Sequence, residues 1–207
     1  MADAVDPLVP LMLLEAVRVV DTPDDDDFEI EFVEELRTKR LGLSETVRAQ
    51  IRRYEEAVRR GVGVSFDEAT GIARLVGRRP DAEAVFREAG RRLARVAYGR
   101  VFAPTRGLLR ILPGLLARPL ALGHVRRVAR RYLGGGIRRV GASIVLDVPG
   151  TLSVGTAPRS GGCTFQEAAL REFIRQLLGA VGTVEHVRCR SREEGACEWR
   201  ADWRTIR

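Results

Sequence analysis

From Leu8 to Val20 the chain is apolar at every position except Glu15 and Arg18. That pattern predicts a helix buried on most of its sides, with Pro10 close enough to its start to be tolerated. Thr22-Pro23 and the run Asp24 to Asp27 end it. Phe28, Ile30 and Phe32 then alternate with Glu29 and Glu31, the period of a short strand with one wet face. Ser44 has the chemistry of an N-cap for a helix that places Val47, Ile51, Tyr54 and Val58 on one face and ends near Gly61. Gly77 to Pro80 reads as a linker, after which Asp81 caps a helix with Phe86, Ala89, Leu93 and Val96 on its apolar face. Between Val101 and Leu133, Pro104, Gly107, Pro113, Gly114, Pro119 and Gly123 punctuate a helical composition. Several short helices fit that better than one long one. The leucines from Leu108 to Leu122 read as core, though they would equally wall a lipid-like pocket or meet a second subunit.

Gly134-Gly135-Gly136 closes this helical stretch. It ends a helix and precedes a strand, and it lacks the lysine and hydroxyl residue of a phosphate loop. Ala142, Ile144, Leu146 and Val148 then alternate with Ser143, Val145 and Asp147, and Pro149-Gly150 suits the centre of a type II turn returning through Leu152 and Val154. Thr164 and Glu167 have capping-box spacing and open a helix with a stripe of Leu170, Phe173, Ile174, Leu177 and Leu178. A second hairpin follows: Val184 to Cys189, a loop from Arg190 to Gly195, and a strand with Cys197, Trp199, Ala201 and Trp203 on one face.

At 207 residues and 45% hydrophobic, the chain can bury a substantial core. No apolar run reaches the roughly 20 residues of a membrane-spanning helix. Acids stand near the N-terminus where a signal peptide needs positive charge, so a cytoplasmic location is expected, with three cysteines as thiols or thiolates rather than disulfides. The net charge of +7 comes almost wholly from arginine, Lys39 being the single lysine. Asp21 to Glu35 is acidic, whereas Arg87 to Arg139 holds many arginines against Glu88 alone. Arginine and aromatic residues are not interleaved as single-strand recognition requires, so a basic face on a helical protein is expected rather than a nucleic-acid partner.

The candidate chemistry lies in the last quarter. Cys163 sits just ahead of a helix start, where the helix dipole favours a thiolate. His186-x2-Cys189 and Cys189-x7-Cys197 belong to one hairpin, which can carry them to Cys163. Three thiolates and one imidazole form a closed tetrahedral set for structural Zn2+. The plain alternative is buried cysteines acting as small hydrophobes. On a regular strand His186 and Cys189 point to opposite faces. The site therefore needs a bend or bulge near Arg188, or Glu185 in place of His186 as fourth ligand. His124, among Leu122 and Val125, reads as a packed or surface residue and not as a base.

Gly-Gly-Cys-Thr-Phe at 161–165, followed by Cys189, Gly195, Cys197 and the strand Glu198-Trp199-Arg200-Ala201-Asp202-Trp203, resembles the end of the 4-vinyl reductase domain family. That family has a TRAPP-like ligand-binding fold and includes sensory domains of aromatic-responsive bacterial regulators. In those members zinc is held by three cysteines and a glutamate; here His186 falls where the acidic ligand would be. The polar residues that grip phenol have no match in this chain. The resemblance covers roughly 81–207, with the last 45 or so residues specific. It implies an α/β (α+β) fold: an antiparallel sheet of two β-hairpins covered by helices, usually dimeric through helices. The chain then divides into a mostly helical extension, 1–79, and a zinc-stapled domain, 80–207. The resemblance also places a cavity for a small hydrophobic or aromatic ligand between the sheet and the preceding helices. Here Leu112, Leu116, Phe173, Leu177, Trp199 and Trp203 would line it. The expected function is a zinc-stapled, ligand-binding sensory protein, non-enzymatic and homodimeric. Two other readings accompany it. One is a reductase-associated enzyme of the tetrapyrrole type, on the family's name. The other is a DNA-binding regulator, with Leu41 to Ser44 joining a strand to a helix at the DNA and the C-terminal part as sensor.

Overall fold

The computed structural model describes residues 4–22, 44–150, 152–190 and 195–205. Among the described residues are seven α-helices and two antiparallel sheets, the α/β class expected. The strand read at Phe28–Phe32 lies outside the described residues.

The buried helix α1 spans Leu8–Asp21, and its apolar run is covered almost all round. Helix α2, Glu45–Arg60, starts where Ser44 accepts a hydrogen bond from the Val47 amide at 3.3 Å. It ends where Gly61 takes the left-handed conformation at φ 67° that an L side chain would resist. Helix α3, Phe66–Gly77, occupies a stretch for which the hydrophobic pattern predicts no helix. Its signal is the capping pair Ser65 and Glu68, with the Ser65 hydroxyl accepting from the Glu68 amide. Strands β1 (Ala4–Val5) and β2 (Val64–Ser65) pair antiparallel beside these helices.

Helix α4, Ala82–Gly99, buries Val85, Phe86, Ala89, Gly90, Leu93 and Ala94. Asp81 stands at its N-cap position but makes no capping bond; its carboxylate accepts from Arg79 at 2.8 Å instead. Arg79 also binds Asp21 at the end of α1. That bidentate grip fastens α1 to the start of α4 across the 79/80 position. One continuous buried cluster runs from Leu8 to Ala201, so the two parts of the chain share a core.

Helices α5 (Ala103–Ile111) and α6 (Gly114–Val128) follow, broken apart at Pro113, and a π turn over Ala129–Leu133 ends at Gly134 with φ 70°. Two strands come next, β3 (Gly136–Val140) and β4 (Ser143–Val148), joined by a tight turn at Gly141 and Ala142. The hairpin expected beyond Pro149-Gly150 is not formed. Leu152 and Val154 lie in turns, because β4 already has β3 upstream on one edge and the C-terminal strand Cys197–Thr205 on the other.

A 3-10 turn over Pro158–Cys163 leads into α7, Thr164–Leu178. Strands β5 (Ala180–Arg188) and β6 (Cys197–Thr205) complete a four-stranded antiparallel sheet of order β3-β4-β6-β5. Ile144, Leu146 and Val148 of β4 stand opposite Ala201, Trp199 and Cys197 of β6. These six residues are buried on one face of the sheet, which α7 packs against through β5 and β6. The stack runs sheet, α7, α4, α1. The α4–α7 contact is close enough that a Cβ on Gly90 would collide with the Phe165 carbonyl and lie 3.0 Å from the Ala169 amide nitrogen.

Candidate metal centre

Cys163 is the last residue of the 3-10 turn and the first flank of α7. No capping box forms there. The Thr164 hydroxyl donates backward to the Gly161 carbonyl at 2.7 Å and stabilises the 3-10 turn that presents Cys163. The turn also lies tight against the preceding loop, since a Cβ on Gly162 would overlap the Ser153 carbonyl.

The other three residues come from the β5–β6 hairpin. His186 stands opposite Trp199, so both face inward, and their rings stack at 4.7 Å with 10° between planes. The ladder then slips: His186 pairs with Trp199, but Arg188 pairs with Glu198, so two steps on β5 match one on β6. Val187 is the extra residue of a β-bulge. Without it Cys189 would point away from His186; with it both turn to the inner side. The bulge expected near Arg188 is therefore present, and it is what makes a cluster from this spacing. Cys197 opens β6 opposite Val148.

The ligand atoms of Cys163, His186, Cys189 and Cys197 all lie within 4.8 Å of one another. The three cysteines are buried and His186 is half-buried. A zinc tetrahedron with ordinary bond lengths has edges of about 3.5–3.8 Å, so small side-chain rotations close the set. Glu185 is exposed and stands opposite Arg200, outside the cluster. Burial pushes the Cys163 thiol far above its usual range, with the neighbouring cysteines adding to the shift. Burial raises Cys197 as well. A metal taken up here must displace those protons. The Arg190 amide already donates to the Cys197 sulfur at 3.2 Å, the outer hydrogen bond that steadies a metal-bound thiolate. Arg190 is itself held by its guanidinium on the Pro149 carbonyl at 2.9 Å. The four residues can thus hold a metal ion, with no coordination position left for water.

The expected pocket residues are placed differently from one another. Phe173, Leu177 and Trp199 are fully buried in the interior between α7 and the sheet. Leu112 is half-buried against that core, and Leu116 is 60% exposed. The side chain of Trp203 lies outside the described residues. Trp199 carries a feature that sequence reasoning could not supply: its indole N–H is buried and has no hydrogen-bond partner among the described residues. No helix among the described residues is long and apolar enough to cross a membrane. Compared with models of protein families and with curated protein sequences, the chain matches none.

Proposed function

We propose that this chain is a zinc-stapled, non-enzymatic module that binds a small hydrophobic or aromatic molecule in a sensory or regulatory role. The observation that carries the zinc is the convergence of Cys163, His186, Cys189 and Cys197 through a β-bulge. Soft sulfur with one imidazole in four-fold closed coordination suits Zn2+ over the hard cations, which prefer oxygen. A metal so enclosed fastens the 3-10 turn ahead of α7 to the hairpin that α7 covers.

The ligand rests on a second feature. A buried indole N–H without an acceptor costs about 1–3 kcal/mol. Trp199 bears that cost in the same interior as Phe173 and Leu177. A flat apolar molecule with one acceptor atom, such as an aromatic ketone, would supply the missing bond and match the apolar lining.

Native mass spectrometry of freshly purified, reduced protein tests both parts. We expect about one zinc per chain, the stoichiometry of a single four-ligand site, and a co-purified small molecule. His186→Ala should lose zinc while Glu185→Ala keeps it. Zinc-free wild-type protein would overturn the metal. If the wild-type protein holds zinc but neither carries a small molecule nor takes up an aromatic ketone such as acetophenone, the ligand reading fails alone.

A further inference from the structure

We propose that helices α5 and α6 form a docking face for an anionic lipid surface, on which the protein lies without inserting a span. The sequence between Ala89 and Leu146 contains no acidic residue. Within it, an open groove of about 560 Å3 is lined by Gly123, Arg126, Arg127, Arg130 and Arg131. Arg131 is tied to Asp6 at 2.6 Å, whereas Arg126, Arg127 and Arg130 form no ion pair among the described residues. Their charge is available to an external anion.

Charge alone fits several anions; the apolar residues choose among them. Phe102 is 72% exposed, Ile111 82% and Leu116 60%, with Leu108 and Leu120 exposed beside them. Exposed apolar side chains concentrated on one helical segment mark a contact surface. On α6 the residues Leu116, Leu120, Gly123 and Arg127 fall at i, i+4, i+7 and i+11, one continuous row. That row runs from bare leucines to the arginine groove. The opposite side of the helix, with Ala117, Ala121, Val125 and Val128, is buried. Leucines beside arginines on one face have the form of a helix lying in a lipid interface, apolar side chains among acyl chains and guanidinium groups at phosphates.

Other occupants satisfy only half of this. A nucleic-acid backbone would meet the arginines but leave Ile111 and Leu116 in water. A second copy of the chain docked symmetrically by this face would bury its arginines with no carboxylate opposite them, since the stretch holds none. A free phosphate would fill part of the groove and cover none of the leucines.

The test is co-sedimentation of the full chain with vesicles. The two compositions are phosphatidylcholine alone, and equal parts of phosphatidylglycerol and phosphatidylcholine. Binding is expected to the mixed vesicles only, weakening as salt is raised. Each arginine near such a surface is worth about a fivefold change in partitioning, so the triple change Arg126→Gln, Arg127→Gln, Arg130→Gln should reduce binding on the order of 100-fold. Ile111→Ser with Leu116→Ser should also weaken binding while leaving the thermal melt in place, since both residues are exposed. Equal behaviour on the two vesicle types, or wild-type binding by either variant, would overturn the proposal. So would duplex DNA binding at physiological salt without vesicle binding. A dimer that dissolves in the double serine variant, again without vesicle binding, would give the face to a second copy.

Discussion

The α4–α7–sheet stack and the α5–α6 segment use apolar residues in opposite ways. In the stack every large apolar residue of α7's inner stripe is buried, and helices approach so closely that Gly90 has no room for a methyl group. Among the described side chains of α5 and α6 only Leu109, Ala117, Ala121, Val125 and Val128 are buried, and larger residues such as Ile111 and Leu116 face outward. Both segments are rich in apolar residues, so hydrophobic content by itself does not say what is core. The difference lies in which residues are covered: α6 turns Ala117, Ala121, Val125 and Val128 inward and leaves Leu116 and Leu120 outward, so its larger apolar side chains are not the ones it buries best.

The largest effect that sharpens this contrast concerns the proposed zinc. Structural zinc supplies about 10–16 kcal/mol of apparent folding free energy in small peptides, as much as an entire domain's usual stability. Cys197→Ser should therefore remove the metal and leave the stack unfolded or molten at ambient temperature, seen as loss of near-ultraviolet circular dichroism. A well-folded Cys197→Ser protein would mean that packing, and not the ion, holds the hairpin to α7.

Next in size is Phe173, fully buried on α7. Phe173→Ala should cost about 3–5 kcal/mol by denaturant titration. The matched change in the other region, Leu116→Ala, should stay within about 0.5 kcal/mol, because its side chain is mostly in water. If both cost alike, α6 is covered in solution and the contrast fails.

Much of this architecture is legible in the sequence where a local chemical device sets the structure. Ser44, Gly61 and Gly134 mark helix ends by capping and by left-handed backbone, and each sits where expected. The Cys/His cluster is legible for a related reason: three of its four residues sit in local spacing on one hairpin, which leaves few geometries, and strand parity demands the bulge found at Val187. What fails is what depends on distant partners. Pro149-Gly150 has turn chemistry, but β4 is paired on both edges by β3 and β6, so no strand forms after it. Thr164 and Glu167 have capping-box spacing, yet the 3-10 turn that presents Cys163 takes the threonine hydroxyl. Helix α3 carries a legible cap in Ser65 and Glu68, but Gly63 and Gly71 interrupt the pattern around it and hide the helix. The exposure of the leucines is the least legible feature, since no periodicity states which side of a helix the rest of the molecule will cover.

Glycines give a third and finer comparison. Gly90→Ala pushes a methyl group into the Phe165 carbonyl and the Ala169 amide, backbone atoms on a helix that is itself pinned to the sheet. A cost of about 1–3 kcal/mol is expected from such overpacking. A smaller loss would show that α7 can shift away from α4, and that the stack is looser than its contacts imply.

The smallest effect has the opposite sign. Gly107 lies in the middle of α5, and a Cβ built on it meets nothing within 4 Å. Its backbone is helical, so alanine adopts it without strain, and the unfolded chain loses more freedom than the folded one. Gly107→Ala should therefore stabilise the protein, by about 0.5–1 kcal/mol at most, since glycine is the poorest ordinary helix former. The measurement is a shift in denaturant midpoint at unchanged slope. The result also probes what touches α5 in solution. If another chain packs closely over this helix, the added methyl group meets it and the gain disappears as protein concentration rises. A stabilisation independent of concentration means that the helix face is open, as the exposed Ile111 and Leu108 beside it require.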